Sequence, residues 1–143
     1  MSKSRKRKRP LIMIADHDED ERCLLRAILK LIGFQVVEAW DGPNAVKLVQ
    51  QETPDVLVVD LTLPRLGGPD GLDKIRTVSA CSTLPIIALS PDRVDYQFKG
   101  SKTVFLLKPI EYERLYVLLD RFLPGHRTVA ARSKYLPYSR QSC

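Results

Sequence analysis

The sequence predicts an α/β domain built on a five-stranded, doubly wound parallel sheet with helices on both faces. Three observations carry that prediction. Short runs rich in leucine and β-branched residues recur along the chain, at 11–15 (LIMIA), 55–60 (DVLVVD), 85–90 (PIIALS) and 103–108 (TVFLLK). They are continuously apolar, without the polar alternation of a sheet that faces water, as strands covered on both sides are. Segments of helical periodicity separate them, and right-handed crossovers place such helices on either face.

The elements follow in order. LIMIA is a first strand, and residues 16–21, DHDEDE, interrupt it with acids. A helix then places Leu24, Ala27, Ile28, Leu31 and Ile32 at spacings of three and four, and Gly33 stops it. Asp18 or Asp20 caps its start, where acids suit the positive end of the helix dipole. QVVEA at 35–39 is a shorter strand nearer an edge. A second helix opens at Asp41 or Gly42 with Pro43 in its first turn and runs through Ala45, Val46 and Val49 to Gln51. Between Asp70 and Val78 the helix is poorer, because Gly67, Gly68, Pro69 and Gly71 crowd its beginning. Residues 91–101, PDRVDYQFKGS, have room for about two helical turns, so the fourth helix is expected to be shortened. The last helix starts near Ile110, after Pro109, with Leu115, Leu118, Leu119 and Phe122 facing inward.

At 143 residues and 44% hydrophobic side chains the chain has the size of one domain. No apolar run approaches the roughly 20 residues that cross a bilayer. SKSRKRKRP leads into a strand instead of a signal-peptide core. The expectation is a cytoplasmic protein without membrane contact. Cys23, Cys81 and Cys143 are odd in number and lack CxxC spacing, which argues against a disulfide framework or zinc site. Cys23 and Cys81 are expected to be small apolar fillers.

The net charge of +6 is unevenly placed. Residues 1–9 hold Lys3, Arg5, Lys6, Arg7, Lys8 and Arg9 with no acid, and Arg127, Arg132, Lys134 and Arg140 follow Leu123, again without acids. Residues 10–123 are left with 13 bases against 17 acids. The expected organisation is a basic, solvated arm at 1–10, a folded domain at 11–123 and a basic tail at 124–143. The arm has no interleaved aromatic to stack on bases, so at most weak contact with nucleic acid is expected of it.

In open parallel sheets, function collects at the carboxyl edge, where strand order reverses. Asp16 and His17 follow the first strand there, Asp60 ends the third, Ser90 closes the fourth and Lys108 follows the fifth. Singly, each is ordinary: an aspartate caps a turn, a lysine before proline is exposed, a serine ends a strand. Together at one edge they point to chemistry. Asp16 and Asp60 repel each other unless a cation lies between them, and one lysine balances only one carboxylate. Hard oxygen donors suit Mg²⁺. A carboxylate beside Mg²⁺ and Lys108 can be a nucleophile towards a phosphoryl group, with Ser90 donating a hydrogen bond to its oxygen.

On IADHDED, VLVVDLTLPRLGG around Asp60, IIALS with Ser90 and FLLKPI with Lys108, the chain from Leu11 to about Leu123 resembles a response regulator receiver domain, the phosphoryl-accepting module of two-component signalling. The resemblance implies a flavodoxin-like strand order, 2-1-3-4-5. It makes Asp60 the phosphoacceptor, served by a histidine kinase or phosphotransfer protein. It gives Mg²⁺ to Asp16, Asp60 and the backbone carbonyl of Thr62, turns Ser90 inward and pairs Lys108 with the phosphoryl group. Phe105 stands where the family commonly has an aromatic that rotates with that move. A plain core phenylalanine is the other reading, and both stay open.

The pattern departs from the family at three places. His17 occupies a position where a second acid commonly ligates the metal, and imidazole is a poor match to Mg²⁺. Mg²⁺ binding is therefore expected to weaken by about tenfold or more. Asp18 swinging in, or a softer transition metal at His17, are the alternatives. Gly67 replaces a frequent Asp, and the segment between Ser90 and Lys108 is short, with Pro91 stiffening the loop. The output face is thus expected to be atypical, or fixed in one state.

Three functions compete. A phosphorylatable receiver would act on an output protein in trans, as a monomer or homodimer, since no output domain fits after Leu123. A pseudo-receiver would keep the fold as a protein interaction module and work without phosphorylation. A phosphatase of the haloacid dehalogenase type needs a general-acid Asp where Thr62 stands, so no enzymatic role is expected.

Overall fold

The described residues of the computed structural model, 9–78, 83–93 and 102–126, run β1 (Leu11–Ala15), α1 (Glu19–Leu31), β2 (Gln35–Ala39), α2 (Gly42–Glu52), β3 (Val56–Asp60), α3 (Pro69–Val78), β4 (Ile86–Ser90), β5 (Thr103–Leu107) and α4 (Tyr112–Phe122). The strands form one parallel sheet in the order β2-β1-β3-β4-β5. That is the flavodoxin-like order. The three central strands are buried at every residue, whereas QVVEA and TVFLL, which tolerate exposure, take the two edges.

Successive side chains along a strand point to opposite faces, and this alternation divides the core in two. Ile12, Ile14, Val56 and Val58 pack under α1 and α4 with Leu25, Leu29, Leu115 and Leu119. Met13, Ala15, Leu57 and Val59 pack under α2 and α3 with Ala45, Val49, Leu72 and Ile75. The sheet is therefore covered on both sides, as the unbroken apolar runs require.

Asp18 is the α1 cap and accepts from the Asp20 and Glu21 N–H groups at 2.9 and 3.3 Å. The inward face of α1 differs from the expected one. Leu25 and Leu29 are buried, with Ile32 just beyond the helix, while Leu24 and Leu31 are each 53% exposed. The expected stripe, 24/27/28/31/32, and the observed one, 25/28/29/32, both satisfy helical spacing and share Ile28 and the buried Ile32. The second wins because it presents large side chains where the first has Ala27, and so removes more apolar area from water. Cys23 falls on the solvent side as a result and is exposed, its Sγ accepting from Arg26 Nη2 at 3.1 Å; it is not the apolar filler expected.

Asp41 caps α2, its side chain accepting from the Asn44 N–H at 2.8 Å, and Pro43 stands in the first turn as expected. Gly42 is required by packing: a Cβ there would lie 2.2 Å from the Arg65 carbonyl oxygen. α3 forms from Pro69 despite its glycines, and Gly67 and Gly68 take positive φ just before it. The shortened fourth helix is expected within 91–101, of which 94–101 lie outside the described residues, as do residues 1–8, Cys81, and 127–143. The helix expected near Ile110 is α4. No helix among the described residues is long and apolar enough to cross a membrane.

Candidate functional site

Strand order brings the carboxyl ends of β1, β3 and β5 to one rim, and the site is assembled from residues at or just beyond those ends. Asp60, the last residue of β3, is fully buried. The chain turns back over it, so that the Thr62 N–H and hydroxyl both donate to Asp60 Oδ1, at 2.8 and 2.7 Å. Lys108, the residue after β5, reaches Asp60 Oδ2 with its Nζ at 2.5 Å. The same Nζ donates to Glu21 Oε2 at 2.9 Å, across from the first turn of α1. Asp16, the residue after β1, is 4% exposed and accepts from the Asp18 N–H at 2.9 Å. His17 is half-exposed, with Nδ1 at 3.8 Å from Asp16 Oδ1.

The electrostatics come down to one count. Asp16, Glu21 and Asp60 supply three carboxyl groups and Lys108 one ammonium. With all ionised, two negative charges stay uncompensated. Burial pushes the Asp60 carboxyl up, but the Lys108 and Thr62 hydrogen bonds together overcome it and hold the carboxyl below the usual range. Burial likewise works against the Lys108 ammonium, yet its bonds to Asp60 and Glu21 raise it well above an ordinary lysine. Asp16 has no such partner. Burial pushes it up to about 6, with the hydrogen bond to Glu21 and the charges of Glu21 and Asp60 adding to the rise against the one Asp18 N–H.

A carboxylate oxygen of Asp16, one of Asp60 and a ring nitrogen of His17 all lie within 4.8 Å of one another. A divalent cation fits this set: it would offset the two surplus charges, and hard carboxylate oxygens suit Mg²⁺ better than a softer metal. Asp18, one of the two alternatives at the metal position, is committed to the α1 cap, the other role expected of it. Glu21 is the acid that shares the site. Helical spacing places it within reach of either stripe, three residues before Leu24 and four before Leu25, and its acidic side chain reads there as one more first-turn acid.

Ser90 and Phe105 sit beside this cluster. Ser90, buried at the end of β4, donates its hydroxyl to the Asp92 carbonyl at 2.7 Å and accepts from the Asp92 N–H at 3.1 Å. Its hydroxyl is thus turned onto its own loop. Its carbonyl accepts from the Lys108 N–H at 2.8 Å, which ties the ends of β4 and β5 together. Phe105, half-buried and paired with Ala88, packs on the α2–α3 side of the core. It also lines, with Ser90, a cavity of about 370 Å³.

Comparison with known proteins agrees with this fold. Protein PilH of Pseudomonas aeruginosa is 30% identical over 119 residues, covering 80% of this chain and 98% of PilH. Protein Rrf1 of Nitratidesulfovibrio vulgaris is 29% identical over 113 residues, covering 78% of this chain and 81% of Rrf1. Among solved structures, the receiver domain of the sensor histidine kinase PA1611 of P. aeruginosa, which has a magnesium ion coordinated in its active site cleft, superposes with a TM-score of 0.70 at 24% identity. That match covers 81% of this chain and 98% of the other, and shares the fold. The family model of the response regulator receiver domain matches residues 12–120, and with the carboxyl-edge cluster in place the chain belongs to that family.

Proposed function

We propose that this receiver accepts a phosphoryl group on Asp60, with Mg²⁺ bound at the same rim, and passes the signal by contacts with another protein. The observation that carries the reading is the buried Asp60 carboxylate held by Lys108 beside a cluster whose ligand atoms lie close enough together to hold one divalent cation. Asp16, Asp60 and the Thr62 carbonyl would hold the ion, with His17 and Glu21 at its margin. When bound, Mg²⁺ neutralises charge on the transferring group. Asp60 Oδ forms the new O–P bond as the donor's P–N bond breaks, and the electron pair stays on the donor imidazole, which takes up a proton. Lys108 balances the charge that gathers on the phosphoryl oxygens. Ser90 reaches the acyl phosphate only by giving up its Asp92 bonds, and the cavity beside Phe105 offers space for that ring to follow.

The natural donor is a histidine kinase or phosphotransfer protein, and the location is cytoplasmic. A second reading, a phosphorylation-independent interaction module, draws on His17 and on the Ser90 hydroxyl facing away. Treatment with a small acyl phosphate and Mg²⁺ followed by intact-mass measurement separates the two. The expected result is one added phosphoryl group, absent in Asp60→Asn; an unmodified wild-type mass favours the interaction module. No turnover of small phosphate esters is expected, because Thr62 bonds to Asp60 where a phosphatase would need an acid.

A further inference from the structure

His17 stands between two fixed points of the backbone. On one side the Asp16 N–H donates to the Ala39 carbonyl at 3.0 Å, and the Asp16 carbonyl accepts from Arg22 Nη1 at 2.7 Å. That arginine is itself held, its Nε donating to Glu38 Oε1 at 3.2 Å. On the other side Asp18 donates its N–H to Asp16 Oδ1 at 2.9 Å and caps α1. The segment that carries the imidazole is thus pinned by the β1–β2 ladder and by α1, while the ring is not. The His17 side chain is 52% exposed, and among the described residues no hydrogen bond engages the ring. Its Nδ1 lies 3.8 Å from Asp16 Oδ1, and a ring nitrogen stands within 4.8 Å of carboxylate oxygens of both Asp16 and Asp60.

A histidine in a turn at a sheet rim is ordinarily just solvated. Here it completes a set of three donors, and its nitrogen changes what the set prefers. The two carboxylates alone favour Mg²⁺. That ion wants oxygen donors in near-ideal octahedral geometry, so an imidazole nitrogen gains it little and takes a place that an oxygen would fill. Zn²⁺ accepts nitrogen and oxygen together at about 2.0–2.2 Å, and three protein donors with one open position is how it is held where it also meets water or substrate. Donor atoms around such an ion lie roughly 3.0–3.5 Å apart, so the 3.8 Å between His17 and Asp16 needs only a small closure, which a half-exposed ring can make. The charge count is unchanged, because neutral imidazole adds none. Lys108 cannot serve as a nitrogen ligand, being spent on Asp60 and Glu21.

We infer that His17 converts this rim into a site for a borderline divalent metal, of which Zn²⁺ is the type, held by Asp16, Asp60 and the His17 ring in preference to Mg²⁺ at equal concentration. The inference rests on the phosphoryl reading of the rim and deepens it: Mg²⁺ serves where it is abundant, and a scarcer borderline ion displaces it. Phosphoryl acceptance then depends on which metal is present. Because preference for a transition ion is common at mixed nitrogen and oxygen sites, the signature is the dependence of that preference on His17.

The test is calorimetry of the full chain with Zn²⁺ and, separately, with Mg²⁺. His17→Ala should weaken Zn²⁺ binding by about tenfold or more and change Mg²⁺ binding by less than about twofold. Asp60→Asn should weaken both, which puts the two ions in one site. The sequence has two histidines, and the second, His126, lies on Phe34 with ring centroids 4.4 Å apart. Nitrogen NMR of the imidazole rings therefore reads the ligand directly: the signals absent from His17→Ala should move with Zn²⁺ and stay with Mg²⁺, while those of His126 do not respond. The inference is overturned if Zn²⁺ binds no tighter than Mg²⁺, if His17→Ala weakens the two metals equally or leaves Zn²⁺ unaffected, or if Zn²⁺ leaves the His17 ring unmoved. Zn²⁺ held through His17 in a chain that gains no phosphoryl group with Mg²⁺ supports the inference and counts against the phosphoryl reading. A chain that is phosphorylated with Mg²⁺ yet holds Zn²⁺ independently of His17 overturns the inference and leaves that reading intact.

Discussion

A carboxyl group that is 4% exposed and faces two other acids resists ionisation, which makes Asp16 a pH-dependent liability of the metal-free fold. In the unfolded chain it titrates near 3.8, and in the fold near 6. The folded form thus keeps a proton that the unfolded form has lost. Stability should fall as pH rises from about 4 to about 6 and then level off, by up to about 3 kcal/mol. Asp60 acts in the opposite sense: its carboxyl lies below the usual range, so its contribution is present above 3.8 and fades only as pH falls further. Urea unfolding across this range checks the sign. Asp16→Asn should remove the fall, and a fall of the same size in that variant would show that another group is responsible. Supplying a carboxylate with His17→Asp should strengthen Mg²⁺ binding by about tenfold, read by calorimetry, and Glu21→Gln should weaken it in similar measure. At this scale the sequence is informative wherever an apolar strand stops abruptly on a polar residue, which is how Asp16, Asp60, Ser90 and Lys108 stand out. Side-chain direction is not legible: nothing in the sequence indicates that the Ser90 hydroxyl closes on Asp92.

Among the elements, α1 shows how periodicity can identify a helix and still misplace its face. Two stripes share Ile28 and Ile32, and only packing against Ile12 and Ile14 selects Leu25 and Leu29 over Leu24 and Leu31. Leu29→Ala should therefore cost about 2–5 kcal/mol, and Leu24→Ala less than about 0.5 kcal/mol, by chemical denaturation; equal costs would restore the other face. Glu21 adjoins either stripe, and its bond to Lys108 joins residues far apart in the chain, so helical spacing alone does not bring it into the site. α2 carries a second hidden constraint. Its first residue, Gly42, donates to the Pro64 carbonyl at 2.8 Å and leaves room for the Arg65 carbonyl, while Arg65 pairs with the Asp41 cap. The helix start is thus fastened to the loop that carries Thr62. Gly42→Ala should destabilise the fold by about 1–3 kcal/mol through that clash. From the sequence Gly42 is legible only as a helix start, because the contact is made by a loop more than 20 residues away in the chain.

Taken whole, the molecule gathers the acids Asp16, Glu21 and Asp60 around Lys108 at the carboxyl rim of the sheet. The strand order is accessible from the sequence through the family resemblance, since alternation alone gives a parallel sheet without saying which strands are neighbours. The rim is the consequence of that order, because it sets β1, β3 and β5 close enough for Asp16, Asp60 and Lys108 to meet. If this rim performs phosphoryl transfer, the acyl phosphate must form at one residue. Borohydride reduction after treatment with a small acyl phosphate and Mg²⁺, followed by peptide mass mapping, locates it. Residue 60 should be recovered as homoserine, and only when Mg²⁺ was present. Recovery of the modification at Asp16 or Asp18, or of no modified peptide at all, would contradict Asp60 as the acceptor.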